Sequence, residues 1–339
     1  MNQLRAELYP SIFLVILTLV ACAVLWSVMD MVLLGASLAI VLMPLHHRLS
    51  THVRPVISST IITTGVAVLV LGTAALTLHL LTSNASVLAG IFTAIGTWLN
   101  SATTNPIAYG VPIAKSTLTN MLNTGDALFV NYEKTLLDYL PLILFKVFVF
   151  FFSLSILLVK GDQIKERIMS HLPRPIHGYI TKMSDVAVDT LYVVYVVQIA
   201  IAVLTFFISL PVFYLLGYGN IVFFSFLAAF CELVPVLGSS IAFLLFGAYA
   251  LSLGDTRGVF ILFILGYLVV ACLPEISIRP VLVGRRVKVH PVIMFIGIIG
   301  GILTMGLAGF VLGPLIVVLL IISYRMYIRD QKRPESVMF

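Results

Sequence analysis

Residues 232–240 read Glu232-Leu233-Val234-Pro235-Val236-Leu237-Gly238-Ser239-Ser240, in the middle of an apolar run from Ile221 to Leu253. The flanks suit lipid, but the centre holds a carboxylate, a proline, a glycine and two hydroxyls. Proline lacks a backbone donor and glycine permits turn geometry, so an unbroken helix is disfavoured here. The arm from Ile221 to Val234 has 14 residues, about 21 Å at helical rise, against a hydrocarbon core of about 30 Å. The pattern predicts a hairpin that enters an apolar layer and returns, with a polar tip at Glu232 to Ser240.

Composition says the surrounding solvent is lipid. Of the 339 residues 60% are hydrophobic and 10% are charged, where a soluble domain carries roughly 25% charged residues. So few charges cannot clothe a chain of this size in water. The net charge of +6 is therefore read through its distribution along the chain, and no nucleic-acid partner is expected. Cys22, Cys231 and Cys272 lie in apolar stretches without metal or redox spacing and read as small core residues. The N-terminal apolar run lacks a small-residue cleavage site before Trp26 and is read as a true span.

Outward from the quoted stretch, the fold class is all-α and polytopic. Residues 1–160 form an N-terminal group of helices. Ser11 to Leu45 is apolar over 35 residues and is read as two short spans with Asp30 at their turn; Ile57 to Leu81 is a third span. Residues 82–139 are an outside insertion rich in Ser, Thr and Asn. Within it Leu118, Leu122, Phe129, Tyr132, Leu136 and Leu140 recur at near-heptad spacing, which predicts an amphipathic helix on the membrane surface, on a partner or on its own domain. Residues 140–159 are a fourth span, and 161–189, broken by Pro173 and Pro175, a cytoplasmic amphipathic segment. The core is 190–324, with hairpins at 221–253 and 291–324, and 325–339 is a basic tail.

Basic loops face the cytoplasm. Placing Arg5, Arg48, Arg54, the cluster from Lys160 to Lys182, the loop from Arg279 to Lys288 and the tail inside accounts for 16 of the 20 Lys and Arg residues. This predicts a multi-pass protein of the cytoplasmic membrane with both termini cytoplasmic. The turn Gly217-Tyr218-Gly219-Asn220 is then outside and the Arg279 loop inside, with one ordinary span, Val259 to Ile278, before that loop. Parity requires the 221–253 segment to begin and end outside. The last segment begins after the Arg279 loop and ends at the tail, so it too returns, around Leu303-Thr304-Met305-Gly306-Leu307-Ala308-Gly309. Two units of span plus broken-helix hairpin in opposite orientation form an inverted repeat, a hallmark of secondary transporters. The two tips are expected to meet near the bilayer midplane.

From about Leu172 onward the chain resembles the AI-2E family of autoinducer-2 exporter-like permeases. The resemblance is carried by Tyr195-Val196-Val197-Gln198, Leu216-Gly217-Tyr218, Glu232 to Gly238, Pro274-Glu275-Ile276, Arg279 to Gly284, Val289-His290-Pro291 and Gly309-Phe310-Val311-Leu312-Gly313-Pro314. It implies a multi-pass transporter that assembles as a homo-oligomer, with a pentamer as the candidate form. The family includes exporters of autoinducer-2 and members described as sodium or lithium/proton antiporters, and membership does not choose between them.

Glu232 is the leading candidate, because a carboxylate at membrane depth is costly unless it has a task. It would bind a monovalent cation, carry a proton or hold a polar solute; the plainer alternative is a cap on backbone N–H groups freed at the break. Pro235 and Gly238 shape that tip, and Ser239, Ser240 and Thr304 offer hydroxyls, which also bond backward to helix carbonyls. Gly306 and Gly309 shape the second tip, with Gly313 and Pro314 as a hinge. Glu275 and Arg279, spaced i, i+4, are read as an ion pair fixing a helix end or as a gate, and Gln198 as a polar partner or packing glue. The run of glycines in the last segment serves close packing or a sliding surface. No nucleotide loop, metal motif or nucleophile motif is present, so no enzyme, metal or cofactor is expected. The expected function is ion- or proton-coupled export of a small polar, autoinducer-2-like solute by elevator-like movement of the core. A Na+(Li+)/H+ antiporter is one alternative and an oligomeric channel another.

Overall fold

The computed structural model describes the backbone of residues 2–104, 112–234, 238–284 and 291–331, and side chains over most of these, the exceptions being chiefly 2–27, 98–104 and 112–137. Among the described residues there is no strand. The helices in chain order are α1 (Asn2–Ser50), α2 (Pro55–Ser83), α3 (Ala85–Thr104), α4 (Pro112–His171), α5 (Arg174–Tyr192), α6 (Gln198–Leu216), α7 (Ile221–Glu232), α8 (Gly238–Ser252), α9 (Thr256–Ile261), α10 (Arg279–Val283) and α11 (Pro291–Gln331). Wider π-helical turns join α5 to α6 at Val193–Val197, and α9 to α10 through Leu262–Cys272 and Pro274–Ile278.

Among the described residues, six helical stretches are long and apolar enough to cross a membrane: Val28–Ser50, Pro55–Ser83, Asp138–His171, Ile176–Leu216, Thr256–Val283 and Val292–Arg329. Their exposed side chains include the apolar Val68, Phe148, Phe207 and Leu320. Water would penalise that surface, whereas lipid accepts it. The chain is a multi-pass all-α membrane protein.

Two sequence expectations need correction. α1 runs unbroken through Asp30, which therefore lies inside a helix and not at a turn. One crossing ends on the opposite side from where it began, so the parity that put the N-terminus beside the tail does not carry over. α1 also carries His46 near its C-terminal end; His46 is buried, and its Nδ1 lies 3.0 Å from the Ser58 hydroxyl. The near-heptad stretch falls within α4, where its side chains before Leu140 lie outside the described residues.

The chain divides into two compact units. The first comprises Met1–Gly65, Leu142–Leu191 and Val292–Phe339. Here α1 and the second half of α4 meet closely at Gly35, where a Cβ would lie 2.7 Å from the Phe150 carbonyl oxygen. The Ser153 hydroxyl donates to the Val32 carbonyl (3.0 Å), and Lys146 Nζ donates to Asp30 Oδ2 (2.7 Å). Two opposite charges inside apolar helices hold each other there, since neither is tolerable alone.

In the same unit α11 folds back on itself. Gly306 takes φ 58°, ψ −133°, outside the helical region. Side chains on Gly301 or Gly309 would overlap the other's carbonyl, and Gly313 bears the same relation to Gly297. These pairs are symmetric about residue 305, the pattern of two antiparallel arms whose backbones touch. Only glycine allows that approach.

The second unit comprises Val66–Pro141 and Tyr192–Pro291. Its core is aromatic. The Phe213 ring on α6 lies 5.4 Å from Phe224 of α7, and 5.8 and 5.2 Å from Phe243 and Phe246 of α8. Phe224 also meets Phe246 at 5.4 Å, edge to face. Gly238 sits against Cys231 and Glu232, so α8 begins where α7 ends and runs back along it. With 12 and 15 residues, the arms are about 18 and 22 Å long; each falls short of a hydrocarbon core of about 30 Å.

Lys146→Met leaves Asp30 unpaired and should destabilise the detergent-solubilised protein by on the order of 3 kcal/mol, while Asp30→Asn combined with Lys146→Met recovers most of that loss. Equal melting of the single and double variants would show that the pair carries no weight. Gly301→Val should separate the α11 arms at a cost of about 1–3 kcal/mol or more, whereas Gly300→Val, where a Cβ meets nothing within 4 Å, should be tolerated.

Candidate functional site

Breaking a helix orphans its last carbonyls and the first N–H groups of the next helix. At the α7–α8 break side chains answer both needs. The Glu232 carboxylate accepts a hydrogen bond from the Ser239 backbone N–H at Oε2 (3.1 Å), at the start of α8. A helix N-terminus favours negative charge, so this is a reasonable place for a carboxylate. The orphaned Glu232 carbonyl accepts from the Gln198 amide on α6. Both side chains are buried, Glu232 at 2% exposure.

Arg279 links the groups. Its Nη1 donates to Gln198 Oε1 (3.0 Å), Nη2 donates to Glu275 Oε1 (2.9 Å) and Nε donates to the other Glu275 oxygen. Nη2 lies 3.7 Å from Glu232 Oε1, an ionic approach rather than a hydrogen bond. Glu232 Oε1 is buried and has no hydrogen-bond partner among the described residues. Two carboxylates thus face one guanidinium, which grips the exposed-side one with its fork and leaves the deeper one half-answered.

The wide turns explain the placement. Pro274 cannot donate to a carbonyl one turn earlier, and the backbone around it adopts the π form up to Ile278, just before Arg279. Val193–Val197 is also π-helical and ends at Gln198. Such turns shift the side chains that follow, and they concentrate at functional sites.

Glu232, Gly238, Ser239, Gln198, Glu275 and Arg279 therefore come together within the second unit. Ser240 follows, half-buried, in the first turn of α8, and Pro235 lies outside the described residues. Around the fold-back of the first unit, Thr304 bonds backward to the carbonyls of Gly300 (2.9 Å) and Gly301 (3.1 Å) and so satisfies its own helix. Leu303 and Leu307 beside it are among the most exposed apolar side chains. Gly313, expected as a hinge with Pro314, is held in the glycine contact with Gly297.

The sequence reading passed over two features. One is the Asp30–Lys146 pair, which the lone Lys146 in a span should have signalled. The other closes an end of the second unit. The Tyr218 hydroxyl donates to Asp255 Oδ2 (2.6 Å), and Asp255 Oδ1 caps α9 by accepting from the Gly258 N–H (2.9 Å). The Tyr218 hydroxyl and the Gly258 N–H hold the Asp255 carboxyl below its usual range. Burial, then Asp255, pushes the Tyr218 phenol up.

Residues 12–329 match the family described as AI-2E family transporter. A protein of Methanothermobacter thermautotrophicus is 26% identical over 315 residues, covering 91% of this chain and 90% of that protein. One from Methanocaldococcus jannaschii is 28% identical over 188 residues, covering 55% of this chain and 56% of that protein. One from Archaeoglobus fulgidus is 32% identical over 139 residues, 40% of each. All three carry provisional names as transport proteins.

The Tyr218–Asp255 link sets a pH window. Asp255, with its pKa lowered, adds stability above the ordinary carboxylate pKa of about 4, and that stability is lost as pH falls below it. Tyr218, with its pKa raised, adds stability below about pH 10, lost as pH rises further. The melting penalty of Tyr218→Phe should be largest between these limits and shrink at both ends; a penalty independent of pH would contradict the link.

Proposed function

Because the chain belongs to the AI-2E transporter family, we propose that it is a secondary transporter moving a small polar solute of the autoinducer-2 kind across the cytoplasmic membrane, coupled to a proton or monovalent cation at Glu232. The observation that carries this reading is the buried Glu232 at a helix break, with Arg279 shared between it and Glu275. Charge at membrane depth is expensive, and a carboxylate left half-paired is a group whose charge can be answered by a coupling ion. A purely structural cap would need only the Ser239 contact.

In this reading the α7–α8 and α11 fold-backs are re-entrant hairpins, and an elevator-like movement of the hairpin core carries the bound solute. Homo-oligomeric assembly belongs to the same proposal. Exchange of Na+ or Li+ for H+ is the second reading, because two carboxylates on one guanidinium leave one negative charge to be answered.

Purified protein in proteoliposomes, offered a panel of small polar solutes and alkali ions under imposed pH and Na+ gradients, should give saturable, gradient-dependent flux. Single-channel currents would instead make it a channel. Glu232→Gln should reduce the flux to that of protein-free vesicles, or abolish its pH dependence, with the oligomer and melting temperature intact. Unchanged flux with altered stability would return Glu232 to a structural cap.

A further inference from the structure

Among the described residues, the cluster around Glu232 has a countable charge and a countable supply of oxygens. With Glu232 and Glu275 ionised and Arg279 charged, it carries one net negative charge, in a setting of apolar helices. One added positive charge makes it neutral. The added charge is either a proton or an alkali cation.

Hydrogen-bond allocation separates the two. Glu232 Oε2 is taken by the Ser239 N–H, and the Glu232 carbonyl by the Gln198 amide. The Gln198 oxygen is taken by Arg279 Nη1, and both Glu275 oxygens by the Arg279 fork. Among the described residues of the cluster, Glu232 Oε1 is the oxygen without a donor. A hard cation demands several oxygen ligands at once, whereas a proton needs one. The guanidinium, with Nη2 at 3.7 Å, also approaches from the Oε1 side. It would repel a metal cation there but tolerates a neutral carboxylic acid.

We infer that Glu232 binds a single proton and no alkali cation, with Arg279 turning from Glu275 toward Glu232 when that proton leaves. The inference rests on the reading of this cluster as the coupling site. The arrangement seen, with the fork on Glu275 and Glu232 Oε1 unbonded, is that of the protonated carboxyl. Loss of the proton to water leaves a carboxylate that draws Arg279 Nη2 in from 3.7 Å. Among the described residues, the charged and titratable groups around Glu232 are Arg279 and Glu275 from the α9–α10 segment and Cys231 beside it on α7. Gln198 and Ser239 contribute uncharged contacts from α6 and α8. In such a site the coupling gradient is that of protons, and Na+ and Li+ are not cargo at Glu232.

The test uses the full chain in detergent. Acid-minus-alkaline infrared difference spectra should show a protonated-carboxyl band that Glu232→Gln removes. Replacing Na+ or Li+ by choline at constant ionic strength and alkaline pH should leave the melting temperature unchanged. Glu275→Gln, or Glu275→Asp if the first does not fold, should move the titration of that band to lower pH by releasing Arg279 to Glu232. The proposal is overturned by the absence of a Glu232 band, by an unshifted titration in the Glu275 variant, or by Na+ or Li+ stabilisation that Glu232→Gln abolishes. None of these readouts needs a transported solute. Absent flux with an intact Glu232 titration would remove the transport reading and leave the proton assignment standing.

Discussion

A helix that breaks inside an apolar layer must find partners for its severed backbone groups within the protein, because lipid offers none. The α7–α8 break meets that demand with Glu232 for an N–H and Gln198 for a carbonyl. Each brings a polar side chain deep into the second unit, and Arg279 then ties them together. The charged cluster thus follows from the break: short arms require a turn, the turn exposes backbone, and the groups that satisfy it are the buried side chains of Glu232 and Gln198.

The fold-back of α11 meets the same constraint with different chemistry. No charged residue lies between Gly297 and Gly313. The glycine at 306 takes a left-handed φ that other residues avoid, and the pairs Gly301–Gly309 and Gly297–Gly313 bring backbone onto backbone. Thr304 returns its hydroxyl to its own helix. One fold-back is polar and chemically capable; the other is a close-packed joint with Leu303 and Leu307 exposed beside it.

Much of this was legible in residue order. Pro235, Gly238 and Gly306 marked where two over-long apolar segments turn, because proline and glycine act locally on the backbone. Glu232 stood out because a carboxylate amid apolar residues has few neutral explanations. What could not be read was pairing across distance: which of two carboxylates Arg279 grips, that Gln198 reaches the α7 end, or that Lys146 answers Asp30 across 116 positions. Asp30 misled for a physical reason, since a lone charge in an apolar run resembles a turn until its partner on another helix is known. The π turn before Gln198 was equally hidden, because Val193–Val197 changes the helix register without a distinctive residue.

The central claim is that the break between α7 and α8 buries Glu232 against a guanidinium whose position depends on the proton. A structure determined in lipid at acidic and at alkaline pH tests it most directly. The account predicts the fork of Arg279 on Glu275 at acidic pH, with Nη2 near 3.7 Å from Glu232 Oε1, and a direct Arg279–Glu232 hydrogen bond at alkaline pH. An unbroken helix through 233–237, or a Glu232 that faces lipid away from Arg279 at both pH values, would contradict it.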